Sequence, residues 1–263
     1  MKFFNKIILC LLLTLSNYYI NSKPTAVIYR GPAACENCPG AVSDALSSKY
    51  NIVFAGPKEE LNLKDALATN PEVFIQPGGG DDLNVAWKDV GQFRQNVRDY
   101  VMNGGHYVGI CMGGYLAGQS IIENDDLSGY GLLGLSDSDA IEYIGSIGAD
   151  VTNMNDVLIK VKWDGVDKQI YYQGGPAFIL GSTYADKAQV IARYSNNLIA
   201  AMIVPAGKGS VGVVGPHPEG DADWYADFAG NPQPVTELFI DFVNKTCGKD
   251  FVDNSLRLKK KIK

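Results

Sequence analysis

The sequence predicts an α/β fold, with a doubly wound, mostly parallel sheet, helices on both faces and an antiparallel hairpin extension. Three observations predict it. Short β-branched runs alternate with amphipathic stretches from Pro24 to Ile110, and two of those runs end in glycine-rich turns. After about residue 155 the pattern changes to hairpins. Strands separated by helices are joined by right-handed crossovers, which builds a parallel sheet covered on both sides.

Each element follows from local pattern. Thr25 to Tyr29 reads as the first strand and Ala41 to Lys49 as the first helix. Asn51 to Ala55 is a second strand, Leu61 to Ala68 a helix, and Val73 to Gln76 a third strand ending in Pro77-Gly78-Gly79-Gly80. One long helix is expected next, because Leu83, Trp87, Val90, Phe93, Val97, Tyr100 and Val101 recur at helical spacing before the stop at Asn103-Gly104-Gly105. Tyr107 to Ile110 reads as a buried strand. Further on, Trp163-Asp164-Gly165-Val166 and Ser195-Asn196-Asn197 are turns between antiparallel strands that extend the same sheet. Pro234 to Thr246 reads as a closing helix. In such a sheet, functional residues are expected at the C-terminal ends of the strands.

Composition bounds the possibilities. Of the 263 residues, 46% are hydrophobic and 20% charged, enough for a substantial core without a metal or a disulfide framework. A net charge of −6 excludes a general polyanion binder, so no nucleic acid partner is expected. Lys2 and Lys6 precede an apolar run from Ile7 to Leu15, followed by polar and small residues to Ser22. Residues 1–22 therefore read as a secretory signal peptide. The run is shorter than the ~20 apolar residues that span a bilayer. The expected location is periplasmic or secreted, with no membrane contact after cleavage, and membrane-anchored if the segment stays uncleaved. Cys10 lies inside the apolar run, where a lipid-modified cysteine does not fall. Residues 24–250 are read as one domain and 251–263 as a solvated basic tail. No internal repeat or low-complexity block interrupts them.

Two motifs carry chemistry. Gly109-Ile110-Cys111-Met112-Gly113-Gly114 lies between a predicted strand and a helix beginning near Gly113, the arrangement of a nucleophile elbow. A helix N-terminus there favours thiolate. A small buried core cysteine fits the same local pattern. The second motif decides between them: one of only two histidines stands in Gly215-Pro216-His217-Pro218-Glu219, after a Gly/Val-rich strand. Pro218 holds His217 extended and fixes its own φ, so residues 217 and 219 project to one side. His217 can then take the thiol proton while Glu219 fixes its tautomer, the alternative being a structural surface His-Pro turn. Gly78, Gly79 and Met112 are candidate oxyanion donors through their backbone amides, although a glycine-rich turn could equally cradle phosphate.

A glycine-glycine turn after an early strand, a G-x-C-x-G elbow and a late His-Pro-Glu, in this order, resemble the type 1 glutamine amidotransferase superfamily. The resemblance covers nearly the whole chain after residue 24 and implies a flavodoxin-like fold. Within it, the chain is most similar to the biotin-protein ligase N-terminal domain family, through Pro77-Gly78-Gly79, the run from Gly104 to Ala117 and the His-Pro-Glu. Glutamine amidotransferases usually carry glutamine three residues after the nucleophile. Gly114 stands there and Gln119 comes only later, which counts against glutamine as substrate. Neither a synthase domain nor a biotin ligase catalytic domain is expected within these residues.

Cys35-Glu36-Asn37-Cys38 falls just past the first strand, on the loop edge where the superfamily places its site. A local disulfide suits an exported chain, a redox pair is a second reading, and half a metal site a third. His106 and Cys247 are strays that complete no zinc-spaced ligand set, so no metal is assigned. His106 follows two glycines into a strand and reads as structural. Tyr171 to Pro176 reads either as a pocket-lining loop or as an ordinary hairpin exit. The leading expectation is a hydrolase or amidotransferase-like transferase acting on an amide or acyl bond of a small-molecule or peptide substrate, through a thioester at Cys111 and without a cofactor. The alternatives are a non-catalytic module binding a small ligand or partner, and thiol-disulfide exchange at Cys35 and Cys38.

Export has a direct check. Protein purified from native cells should begin after Ser16 or Ser22 on N-terminal sequencing, and intact Met1 in a cytosolic fraction would overturn it.

Overall fold

The computed structural model describes residues 23–248, except 81, 119, 122–126, 134–138, 183 and 231. Residues 1–22, read above as a signal peptide, the tail 251–263 and Gln119 lie outside the described residues.

The first half of the chain builds a parallel sheet. Strands β1 (Thr25–Tyr29), β2 (Asn51–Ala55), β3 (Val73–Gln76) and β4 (His106–Ile110) alternate with helices α1 (Cys38–Leu46), α2 (Leu63–Ala68), α3 (Leu83–Val90) and α4 (Arg94–Met102). Helix α5 (Met112–Ala117) follows β4 after a single residue. A short ladder of β5 (Ser120–Ile121) and β6 (Leu127–Ser128) comes next. Strands β7 (Asp139–Glu142), β8 (Val157–Trp163), β9 (Val166–Tyr172), β10 (Pro176–Ile179), β11 (Gln189–Tyr194), β12 (Ile199–Ala206) and β13 (Gly209–Val214) precede helices α6 (Ala222–Tyr225) and α7 (Thr236–Thr246).

Eleven of these strands form one sheet, in the order β2-β1-β3-β4-β13-β12-β11-β8-β9, with β10 and β7 branching from β12. The five strands from β2 to β13 are mutually parallel. Their 2-1-3-4-5 order is that of a flavodoxin-like sheet, in which ligands bind beyond the strand C-termini where the order reverses. The remaining strands are antiparallel and extend the sheet. The turn between β8 and β9 uses Asp164 at φ 46° and Gly165 at φ 81°, the left-handed pair that suits the twist of a two-residue hairpin.

Alternation along the strands feeds two cores. Ala26 and Ile28 of β1 face α1 and α7, with Val42, Leu46, Phe239, Phe242 and Val243. Val27 and Tyr29 face the other side, with Leu63 and Leu67 of α2, Val90, Val97, Val101 and Leu116. Both faces are buried, so the parallel strands read as continuous apolar runs rather than alternating ones.

One expected element differs. The single helix over Leu83 to Val101 is two helices joined by a 3₁₀ turn, Gly91–Phe93. The helical period continues across the break, but Gly91 has low helix propensity. Its missing side chain also makes room for Trp87, whose ring lies 2.9 Å from where a Cβ would sit. Helix α1 also starts earlier than expected, at Cys38, with Pro39 in its first turn, where proline costs no hydrogen bond.

Helix α7 covers the sheet where the parallel half meets the extension. Phe242 is fully buried and packs edge-on against Trp163 of β8 at 6.0 Å. Replacing Phe242 with Ala should cost about 3–5 kcal/mol in urea unfolding. A loss under about 1 kcal/mol would mean that α7 contributes little to the core.

Candidate active site

The C-terminal ends of β1, β3, β4 and β13 lie side by side, so the loops that leave them meet. Residues far apart in the chain converge there: Cys35 and Cys38 after β1, Gly78 and Gly79 after β3, Cys111 after β4, and His217 and Glu219 after β13.

Cys111 forms the turn from β4 into α5. Its backbone has φ 51° and ψ −108°, a conformation that a residue with a side chain adopts only under constraint. Glycines impose the constraint by letting backbones touch. A Cβ on Gly113 would lie 2.0 Å from the Gln76 carbonyl oxygen, and one on Gly109 would lie 2.3 Å from the Gly113 oxygen. The Tyr107 hydroxyl donates to that same Gly113 oxygen at 2.7 Å, and the Cys111 N–H donates to Val214 O at 2.9 Å. Met112 opens the helix, so its N–H has no intrahelical acceptor.

His217 Nδ1 lies 2.8 Å from Glu219 Oε1, and both side chains are buried. The Cys111 side chain is near enough to act on the ring electrostatically. Burial alone would lower the imidazole pKa, but the Glu219 charge, then the Cys111 charge and the hydrogen bond to Glu219, push it up to about 10. That shift favours the protonated imidazolium at neutral pH. Glu219 Oε2 is buried with no hydrogen-bond partner among the described residues, so the nearby imidazolium is what offsets the cost of burying this carboxylate. The His217 N–H donates to Tyr171 O at 2.8 Å, which ties the motif to the end of β9.

The glycine-rich turn closes on these groups. A Cβ on Gly78 would meet His217 Cε1 at 2.5 Å, and one on Gly79 would meet Met112 Cγ at 3.0 Å. Cys35 and Cys38 form a disulfide, with Cα atoms 5.3 Å apart. Gln76 is buried beneath the turn and donates to Ala33 O at 3.1 Å.

The roof of the site is the loop after β9, the pocket-lining reading of Tyr171 to Pro176, together with α6, which sequence reasoning missed. The loop after β9 brings the Gln173 carbonyl 3.6 Å from the Cys111 sulfur, and the Tyr115 hydroxyl donates to Gly174 O at 3.2 Å. Tyr171 to Pro176 therefore borders the thiol. Trp224 of α6 packs against Tyr171 at 4.9 Å and His217 at 5.3 Å, with Phe228 beyond Tyr171 at 6.2 Å. The signal for α6 was weak, since it is only four residues long; its one cue is Asp221, which caps the N–H groups of Asp223 and Trp224. Two clefts lie elsewhere. One of about 1130 Å³ runs over the hairpin extension and one of about 600 Å³ surrounds His106, and no candidate residue lines either.

The family model described as "Biotin-protein ligase, N terminal" matches residues 25–128 and 139–246. The chain belongs to this family. A curated biotin–protein ligase from Schizosaccharomyces pombe is 25% identical over 221 residues, a match covering 75% of this chain and 33% of the ligase. The chain thus spans about a third of that relative's length. A glutamine amidotransferase structure from Thermotoga maritima shares 14% identity at a TM-score of 0.50, over 91% of this chain and 90% of that one. At that identity the likeness is one of fold. The biotin-protein ligase N-terminal family here carries the class I glutamine amidotransferase-like architecture, with Cys111, His217 and Glu219 gathered at its strand ends.

The elbow's backbone geometry can be weighed directly. Glycine relieves the positive φ at 111 whereas alanine retains it, so Cys111→Gly should be more stable than Cys111→Ala by about 1 kcal/mol in denaturant titrations. Equal stabilities, or a more stable Ala variant, would show that the turn carries no strain.

Proposed function

We propose that this chain is an exported protein that acts on an amide or similar acyl bond through a thioester at Cys111, as a hydrolase or an amidotransferase-like transferase. The observation that carries the proposal is the buried His217 ring, bonded to Glu219 at 2.8 Å and standing at the end of β13 beside β4, whose end carries Cys111. His217 takes the thiol proton and Glu219 holds the imidazole orientation. The sulfur attacks the acyl carbon and a C–S bond forms. The oxygen charge that develops is met by backbone amides of Met112 and the Gly78-Gly79 turn. As the C–N bond breaks, His217 returns its proton to the departing amine, and water or an acceptor amine then releases the acyl group.

A second reading has its own support. Cys111 is only 7% exposed and the Gln173 carbonyl lies 3.6 Å from its sulfur. A binding module that keeps the superfamily crevice without catalysis would have this covered thiol.

Alkylation separates the two. Iodoacetamide should label Cys111 readily at about pH 7, because a neighbouring cation favours thiolate. His217→Ala should slow labelling by at least about tenfold, and Glu219→Gln by less, because it leaves the base in place and weakens only its orientation. Slow labelling at the same rate in all three folded proteins would replace the catalytic reading with the binding module.

A further inference from the structure

The disulfide after β1 touches the same turn that the proposed chemistry uses. Cys35 N–H donates to Gly78 O at 2.9 Å. A trans peptide is planar, so fixing the Gly78 carbonyl fixes the Gly79 N–H in the opposite direction. The orientation of that amide is thus set by the position of Cys35. Residues 31–37 contain no helix or strand, and regular structure resumes only at Cys38. Cys35 is held to that residue covalently.

Cys38 is itself well anchored. It begins α1, is buried, and is followed by Val42 and Leu46 in the core against β1. Its sulfur lies 3.4 Å from the point that a Gly78 Cβ would occupy, and His217 Cε1 lies 2.5 Å from the same point. Gly78 is therefore enclosed between the disulfide and the imidazole. Ala33, in the same loop, presents its carbonyl to the Gln76 side chain and lies 3.0 Å from the corresponding point on Gly79. A continuous path runs from the core helix through the disulfide and the Cys35 amide to the Gly78-Gly79 peptide.

We propose that the Cys35–Cys38 disulfide is a positioning device for the oxyanion donor at Gly79, so that its reduction by a dithiol impairs acyl chemistry at Cys111. It rests on the acyl-transfer reading above. Cys35 is partly exposed and Cys38 buried, so a dithiol's thiolate reaches the Cys35 sulfur and Cys38 leaves as thiolate. The reductant's second thiol resolves the mixed disulfide. Two thiols form in the protein and one cyclic disulfide forms in the reductant, which balances two electrons and two protons. Without the covalent tie, the loop holds the Gly78 carbonyl through one hydrogen bond alone. Misaligned donors cost rate in the step where oxyanion charge develops and nowhere else.

Two electrophiles tell this apart from general loosening. Acetylation of Cys111 by p-nitrophenyl acetate passes through an oxyanion, whereas alkylation by iodoacetamide does not. Both are followed by mass spectrometry of the Cys111 peptide, so that labelling of Cys35 and Cys38 does not interfere. In phosphine-reduced wild type and in Cys35→Ser/Cys38→Ser, the ratio of acetylation to alkylation rates at Cys111 should fall by about tenfold or more. Reoxidation of the reduced wild type should restore it. A ratio unchanged by reduction and by substitution, whether both rates hold or both fall together, overturns the positioning role. Failure of the acyl-transfer reading shows earlier and separately: oxidised wild type would alkylate at Cys111 yet acetylate no faster than free cysteine, and the positioning role would fall with it.

Discussion

The turn at Cys111 is the constraint on which the rest of the site depends. One residue separates β4 from α5, and the backbone reverses within it at φ 51°. That is possible only because Gly109 and Gly113 let the helix come down onto β4 and the end of β3 with carbonyl oxygens where side chains would otherwise be. The same contact sets where the α5 amides point and how far the sulfur stands from β13. Tyr107, whose ring also fills the core against Phe74 and Tyr130, holds the turn from beneath through its bond to Gly113 O. Packing and chemistry therefore share one set of atoms.

Electrostatics adds a second dependence. Burying a histidine and a glutamate is unfavourable for each alone, and the pair is tolerable because each offsets the other's charge. Among the described residues one Glu219 oxygen has no hydrogen-bond partner, so His217 is its principal compensation. The rise in the imidazole pKa to about 10 is the same fact seen from the ring, with burial opposing and Glu219 and Cys111 prevailing. The antiparallel extension completes the environment, since Tyr171 O accepts the His217 N–H and the loop after β9 lies over the thiol. That loop approaches closely because Gly175 has no side chain; a Cβ there would fall 2.0 Å from Gly215 O.

Much of this was legible in the chain. Strand positions β1, β2 and β3 follow from apolar runs bounded by turn residues, and the doubly wound class follows from their alternation with helices. The convergence of Cys111, His217 and Glu219 was legible because glycine and proline mark backbone conformations that few other residues adopt. The 3₁₀ turn at Gly91 was not, because the apolar period runs unbroken through it and only the packing of Trp87 shows the cost of continuing the helix. Trp224 and Phe228 were missed because a four-residue helix has too little period to register.

By itself, then, the sequence determined the fold class, the element order through the parallel half, and which residue types gather where strands end. These are local matters, fixed by apolar periodicity and by the special backbone of glycine and proline. Only the tertiary structure decided that the Cys35–Cys38 disulfide abuts Gly78, that Gln173 covers the sulfur and that the His217 ring is buried. Each of those depends on which loops the sheet order sets beside one another, and on how much water the packing removes. No residue's own neighbours in the chain supply that information.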